Sequence, residues 1–161
     1  MSGQQHDYEV CVTWTGNDGA GTSSYGAYRR DYLIEAVGCM PIPGSADPAF
    51  LGDDSRWNPE QLLVASLAAC HKLWYLHLCA DAGLVVDGYV DWAVGTMRFE
   101  DGTGRFVEVC LRPEVTLRAP ADMERAHALH AAARERCFIA NSVDFPVRHE
   151  PRITVAAGDD A

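Results

Sequence analysis

Apolar and polar residues near the start of the chain alternate with the two-residue repeat of β-strands. Residues 8–15, YEVCVTWT, alternate well enough for a first strand, and residues 28–38, YRRDYLIEAVG, suggest a further one. Residues 16–24, GNDGAGTSS, form a turn-rich connection between them. Residues 39–57 are rich in Pro, Gly and Asp and predict a loop of roughly 19 residues, a length at which ordered loops often shape a site.

Residues 58–83 have the pattern of one long helix that is apolar on almost every side. Asn58 is the expected N-cap, Pro59 occupies the first turn with Glu60 close behind, and Gly83 is expected to end the helix. Such a helix is typical of one buried within a domain or at a dimer seam.

The second half of the chain predicts a hairpin, a helix and a last strand. The predicted elements are strands at residues 89–100 and 105–118 joined by the loop DGTG, a helix from about Ala121 through residues 123–140, and a strand at residues 147–157. The order βββ–α–ββ–α–β indicates an α+β protein with antiparallel sheet packed on helices. A single domain is expected over residues 1–161, with its core at about 8–157 and a short acidic tail.

Composition narrows the possible partners. The formal net charge is −10, which argues against nucleic acid and against anionic membrane surfaces. The apolar run at residues 62–83 contains Lys72, two histidines and Asp81, which would be costly in lipid. The first ten residues lack the pattern of a signal peptide. We therefore expect a soluble, cytoplasmic protein.

The chain has six cysteines and no CxxC spacing. Without a secretion signal, this pattern argues against a disulfide framework and against a structural zinc site. Most of the cysteines are expected to be plain buried thiols, with one or two reactive. The cysteines expected to be structural are Cys11, Cys39, Cys79 and Cys110.

Cys70 lies in the middle of the long predicted helix. Its neighbours on the same helix face are apolar or neutral: Ser66, Leu67, Leu73 and Trp74. His71 points about 100° away and is poorly placed to act as its base, and Cys79 points to the opposite side, which excludes a disulfide in a regular helix. On local evidence alone, a packed core thiol is the favoured interpretation of Cys70.

Two further features favour redox chemistry instead. Cys137 lies at the end of the second predicted helix, where a side chain can move, and Arg29 and Arg30 are adjacent in the N-terminal third. A buried thiol, a second thiol at a helix end and a guanidinium are the groups needed to make and resolve a sulfenic acid.

Taken together, these motifs resemble the signature of the OsmC/Ohr family, the osmotically induced and organic hydroperoxide resistance proteins. The matching features are the N-P-E-x-L-L opening at residues 58–63, a cysteine ten residues after the glutamate in the context A-x-A-A-C, and the segment 137–147, CFIANSVDFPV. The resemblance extends over about residues 8–157. It implies an OsmC-like fold in which antiparallel sheets wrap around long central helices in an intertwined homodimer.

The resemblance also implies an activity, namely thiol-dependent reduction of organic hydroperoxides at two sites on the subunit interface. By match to the family motifs, Cys70 is the peroxidatic cysteine, Cys137 the resolving cysteine and Glu60 the conserved glutamate of the NPE motif. The expected partners are a hydroperoxide and an external dithiol, with no metal or organic cofactor. The family also uses an arginine from the N-terminal region to stabilise the thiolate. Residues 16–24 contain no arginine, so Arg30 is assigned this role, with Arg29 as the alternative.

Helix geometry limits the role of Glu60. Ten residues of helix separate its Cα from that of Cys70 by ~15 Å. Within one subunit the two side chains therefore cannot touch unless the helix breaks. Glu60 would have to act in the partner's site or hold an arginine that does; alternatively, it only complements the helix N-terminus.

Other interpretations stay open at this point. The chain could be a non-enzymatic redox sensor or a small-molecule binding member of the same fold, or a structural dimer in which both cysteines are only packed.

His127 and His130 are spaced to bind a metal on one helix, but no third ligand is evident, and a solvated face is the favoured interpretation. An apolar pocket for the hydroperoxide is expected from Leu63, Leu67, Trp74 and Phe138.

Overall fold

The N-terminal strands pair into a small antiparallel sheet. The computed structural model describes residues 5–119 and 123–156. Strands β1 (Cys11–Trp14), β2 (Tyr32–Glu35) and β3 (Ile42–Gly44) form a three-stranded sheet in the order β1-β2-β3. The two strands predicted from alternation are confirmed, with shorter bounds.

The segment predicted as an unstructured loop contains two elements. Strand β3 and a short 3₁₀ helix at Pro48–Phe50 lie within residues 39–57. The prediction was wrong there because three residues are too few to display an alternating pattern. Pro43 also argues against a strand in general, yet it is tolerated in β3, which is an edge strand.

Helix α1 (Pro59–Asp81) begins and ends as the sequence predicts. The Asn58 side-chain oxygen accepts from the Gln61 amide at 2.8 Å, and the Gln61 side chain accepts from the Asn58 amide at 3.2 Å, which is a reciprocal capping box. At the other end Gly83 has a φ of 74°, and the Leu84 amide donates to the Cys79 carbonyl at 2.9 Å.

In the second half of the chain, the described residues form six strands and one α-helix. These are β4 (Val86–Asp91), β5 (Val94–Glu100), β6 (Thr103–Leu111), β7 (Pro113–Leu117), α2 (Met123–Arg136), β8 (Val147–His149) and β9 (Arg152–Val155). They form two sheets, in the orders β4-β7-β9 and β5-β6-β8. The pairs β6–β8 and β7–β9 are parallel, so the sheets are mixed rather than antiparallel throughout.

Each of the three long strands predicted in this half is broken into two. The breaks lie at the same level: the Trp92 amide donates to the Arg112 carbonyl at 3.3 Å, and the Glu150 amide donates to the Leu111 carbonyl at 2.8 Å. At each break the chain passes from one sheet to the other. Pro113 and Pro151 lie at two of these breaks, where a residue without an N–H does least harm to a ladder.

The hairpin between β5 and β6 is confirmed. Its two-residue loop is Asp101–Gly102, with φ of 52° and 79°, the left-handed conformation that a tight hairpin requires. Helix α2 ends at Arg136, earlier than predicted, and Cys137 follows it directly; a short 3₁₀ helix occupies Ala140–Ser142. The predicted start near Ala121 lies outside the described residues.

The chain forms two compact units, one up to Leu62 and one from Leu63. The second unit has two buried clusters, one around Tyr75, Val115 and Ile153 and the other around Leu67, Val109 and Cys137. Helix α1 is only partly covered. Leu73 is 63% exposed, and 28% of the helix's most apolar 18-residue stretch is buried. Among the described residues it is the one helix long and apolar enough to cross a membrane, which is weak evidence because a core helix meets the same criteria.

Candidate active site

The structure brings the two predicted redox cysteines together. Cys70 is partly buried on α1, and Cys137, directly after α2, is 1% exposed. Both belong to the same apolar cluster, which includes Leu67 and Val109, and Cys70 is one of the groups that raise the pKa of Cys137. Cys79, by contrast, belongs to the other cluster, as its opposite position on the helix predicts.

Cys137 is held by the turn that follows α2. The Ala140 amide donates to the Cys137 sulfur at 3.4 Å, and the Asn141 amide donates to the Cys137 carbonyl at 3.0 Å. Burial, followed by the neighbouring Cys70 thiol, raises the pKa of Cys137 to about 11. Cys137 is therefore a protonated thiol at neutral pH.

Apolar surface lies beside this thiol pair. Trp74 packs against the cluster that contains Cys70, and its ring meets that of Phe138 edge-on at 5.5 Å. Phe138 is 68% exposed, whereas Leu67 is completely buried and has no surface to offer a ligand. Of the residues expected to form the apolar pocket, Trp74 and Phe138 are thus the better placed to meet a substrate.

The two adjacent arginines have different surroundings. Arg29 donates twice to Asp18, at 3.0 Å each, and once to Asp31 at 2.7 Å, so carboxylates hold it. Arg30 lies between the rings of Tyr25 and Tyr28, 4.4 and 4.3 Å from their centroids, and donates to the carbonyl oxygens of the same two residues. Cation–π contacts and neutral acceptors position its guanidinium without cancelling the charge.

Arg30 and Glu60 line one pocket in the first unit. The pocket has a volume of about 390 Å³, and its other walls include the aromatic residues Trp14, Tyr28, Tyr32 and Phe50. One carboxylate oxygen of Glu60 is buried without a hydrogen-bond partner from the described residues. Burial, and then the charge of Glu60, raises the pKa of Tyr32. The pocket therefore offers a cation, an anion and aromatic surface to a small molecule.

Gly44 allows Tyr32 to take its place in this pocket. The two residues face each other across β2 and β3, and a Cβ on Gly44 would lie 2.2 Å from the Tyr32 ring. Any larger residue at position 44 would therefore displace the ring.

The remaining cysteines divide into two groups. Cys79 and Cys110 are buried, and burial raises the pKa of each thiol. Cys11 and Cys39 are exposed, so the expectation that they are buried structural thiols was wrong. Cys11 is the first residue of β1, and Cys39 lies in the connection between β2 and β3.

The expectation of a solvated face was wrong for His130. It is completely buried rather than solvated, and its ring bonds to His71, with His149 close by. The spacing of Ala126, His130 and Ala133, all buried, follows the stripe of a helix and could have revealed it. Within the part of the chain that the structure describes, no group of three or more His, Cys, Asp or Glu side chains could hold a metal ion.

The fold and the paired thiols define a class: a small α+β protein with a cysteine on its long apolar helix and a second cysteine just after the other helix. The sequence model of the OsmC-like protein family matches residues 52–152. The chain therefore belongs to the OsmC-like family. No curated protein matches the chain significantly.

Solved structures agree with this assignment. An OsmC-like protein of unknown function from Vibrio cholerae is 30% identical, with a TM-score of 0.83 over 92% of this chain and 100% of that one. The organic hydroperoxide resistance proteins of Legionella pneumophila and Bacillus subtilis share the fold at TM-scores of 0.65 and 0.61. Their identities are 17% and 19%, covering 95% and 91% of this chain and 100% and 98% of theirs.

Proposed function

We propose that this protein is a thiol-dependent peroxidase that reduces organic hydroperoxides, with Cys70 as the peroxidatic and Cys137 as the resolving cysteine. The observation that carries the proposal is that the two cysteines pack in one apolar cluster, where Cys70 helps to raise the pKa of Cys137. The family includes proteins named for organic hydroperoxide resistance, which supports the same chemistry.

The proposed reaction has three steps. The Cys70 thiolate attacks one peroxide oxygen, the O–O bond breaks, and the alkoxide leaves as an alcohol after taking up a proton, which makes Cys70 a sulfenic acid. The Cys137 thiol then forms a disulfide with Cys70 and releases water. An external dithiol reduces the disulfide, becomes oxidised itself and restores both thiols.

The preference for organic substrates follows from the surface beside the thiols. Trp74 and Phe138 present aromatic carbon there, and burying an alkyl group against such carbon is favourable by about 25 cal/mol per Å². Hydrogen peroxide has no group that gains from this contact. We therefore propose alkyl or aryl hydroperoxides as the substrate class.

Arg30 and Glu60 are proposed as the charged groups of the site. Arg30 would stabilise the Cys70 thiolate, since its own hydrogen bonds go to neutral carbonyls, and Glu60 would orient an arginine or act in the partner's site. Arg29, the alternative, is already paired with Asp18 and Asp31, which supports Arg30.

We propose that the active form is a homodimer in the cytoplasm. The support for a dimer is the uncovered apolar surface of α1, where Leu73 is 63% exposed. A second copy of the chain would bury this surface, as in the intertwined dimer that the family resemblance implies. The net charge of −10 supports a partner other than nucleic acid or an anionic membrane.

A second candidate function is small-molecule binding or redox sensing without efficient turnover. The pocket of about 390 Å³ that contains Arg30 and Glu60 favours it, because such a pocket suits a small polar or zwitterionic ligand.

Peroxide consumption distinguishes the two. Purified protein with excess dithiol would be given cumene hydroperoxide or hydrogen peroxide, alongside Cys70→Ser, Cys137→Ser and the exposed-thiol control Cys39→Ser. We expect rapid turnover of the organic peroxide that disappears in Cys70→Ser and persists in Cys39→Ser. Turnover that does not depend on Cys70, or none in the unmodified protein, would refute the peroxidase.

A further inference from the structure

Two histidines are joined in the interior of the second unit. The Nε2 of His71 and the Nδ1 of His130 are 3.0 Å apart, and the side chains are 1% and 0% exposed. Their rings are parallel within 7° with centroids 5.3 Å apart, which is the arrangement of rings bonded edge to edge. One ring therefore donates its N–H and the other accepts with its lone pair.

This hydrogen bond joins α1, which carries Cys70, to α2, which Cys137 directly follows. His71 directly follows Cys70 on α1, and His130 lies on α2, seven residues before Cys137. A shift of one helix against the other would therefore break the histidine bond and change the distance between the two sulfurs at the same time.

The surroundings of the pair make this bond costly to lose. The Tyr75 ring stacks on His130 at 3.8 Å, and the His149 ring lies 5.7 and 5.9 Å from the two histidines. The outer nitrogens, His71 Nδ1 and His130 Nε2, are buried without a hydrogen-bond partner from the described residues. Breaking the bond would leave two more buried polar atoms unpaired.

We infer that His71 and His130 are positioning residues for disulfide formation, since their hydrogen bond holds α1 and α2 at the spacing that places Cys70 and Cys137 in one apolar cluster. The use of this device in turnover rests on the proposed peroxidase. The spacing itself can be measured without peroxide, as the readiness of the two thiols to form a disulfide.

The test is the thiol–disulfide equilibrium of the full-length protein with glutathione. Oxidised glutathione takes two electrons and two protons from the protein dithiol and becomes two reduced glutathione molecules, and the Cys70–Cys137 linkage is identified by peptide mass. The resulting constant is the effective concentration of one thiol at the other.

Four variants separate the effect of losing the hydrogen bond from the effect of changing the side-chain volume. His71→Leu and His130→Leu remove it, whereas His71→Gln and His130→Asn each retain a nitrogen or oxygen near the bonding position. We expect the effective concentration to fall about tenfold in the leucine variants and to recover to within about threefold in the amide variants. The matched controls His77→Leu and His127→Leu, exposed on the same two helices, should match the unmodified protein.

Folded leucine variants that keep the original effective concentration would overturn the inference, and so would amide variants that fall as far as the leucine ones. If the leucine variants do not fold, the unmodified protein provides a second test through the nitrogen NMR signals of the two rings. Coupling between sites is reciprocal, so forming the Cys70–Cys137 disulfide should shift those signals. Unchanged signals would also overturn it.

The same experiments distinguish this inference from the proposed function. If the protein consumes no peroxide but the leucine variants lower the effective concentration, only the peroxidase is refuted. If the protein is fully active but the leucine variants leave the thiol equilibrium unchanged, only the positioning role is refuted.

Discussion

Arg30 donates to the Tyr28 carbonyl oxygen while its guanidinium lies 4.3 Å from the centroid of the Tyr28 ring. One residue thus holds the arginine by its backbone and its side chain together. Tyr25 repeats both contacts, with its carbonyl and with its ring at 4.4 Å. The planar guanidinium is fixed at the wall of the pocket, and lysine, which has no plane to stack, cannot reproduce this arrangement.

We therefore predict that Arg30→Lys lowers kcat/KM for cumene hydroperoxide at least about tenfold with little loss of stability. Arg29→Lys is the matched control: it disturbs the bonds to Asp18 and Asp31 and should affect unfolding more than turnover. Steady-state kinetics and thermal unfolding of both variants check this. Equal kinetic losses in the two variants would contradict the assignment of Arg30.

Replacing the resolving cysteine should trap the intermediate. In Cys137→Ser no thiol adjoins the Cys70 sulfenic acid, so one equivalent of hydroperoxide should leave a protein heavier by one oxygen. The unmodified protein should instead lose two hydrogens as the disulfide forms. Intact-protein mass spectrometry makes the comparison, and a normal disulfide to another cysteine in Cys137→Ser would rule out the proposed pairing.

Acid should destabilise the fold through the buried histidines. Burial is the main cause that lowers the pKa of His71 to about 4 and that of His130 to about 3. His149 and Arg134 contribute less for His71, and His71, His149 and His127 contribute less for His130. A pKa that is lower in the folded protein gives stability that is complete above the unfolded value of 6.5 and is lost as pH falls towards the folded values.

Urea unfolding should therefore show a falling free energy of unfolding between about pH 6.5 and pH 4, by an amount on the order of 2–4 kcal/mol for each histidine. The double variant His71→Leu/His130→Leu should have a much flatter profile. An equally steep profile in the double variant would assign the acid sensitivity to other groups.

A methyl group at position 44 should damage the pocket. In Gly44→Ala the new carbon would lie 2.2 Å from the Tyr32 ring, so the ring has to move, at a cost of about 1–3 kcal/mol. Gly26→Ala is the control, because a Cβ there meets nothing within 4 Å. Thermal unfolding should separate the two variants, and equal stability would mean that Tyr32 moves freely.

A charge on the uncovered face of α1 should disrupt the proposed homodimer. Leu73→Glu places a carboxylate on surface that a second copy would bury, while Val37→Glu adds the same charge at a completely exposed position. Sedimentation of the unmodified protein as a dimer, of Val37→Glu as a dimer and of Leu73→Glu as a monomer is the expected result. A monomeric unmodified protein at micromolar concentration would end the proposal.

Features encoded over a few residues could be predicted from the sequence. The capping box of Asn58 and Gln61 and the Asp101–Gly102 turn depend on neighbours one to three positions away, and both ends of α1 follow from such signals. The pairing of Cys70 with Cys137 came from family resemblance, because helix geometry alone favoured a packed thiol.

Features that depend on distant residues could not. His71, His130 and His149 belong to two helices and a strand. The residues next to each histidine in the sequence give no sign that the three rings lie close together. The breaks in the long strands were missed for the same reason, since the alternating pattern continues through them while the hydrogen-bond partners change.

Those breaks have a mechanical consequence. Since β4 continues into β5, β6 into β7 and β8 into β9, three covalent links cross between the two sheets at one level. A strand that leaves one sheet displaces the strand of the other sheet to which it is covalently linked. Local opening of one sheet therefore also opens the other. The six strands are thereby built to protect their amide hydrogens from exchange as one cooperative unit rather than sheet by sheet.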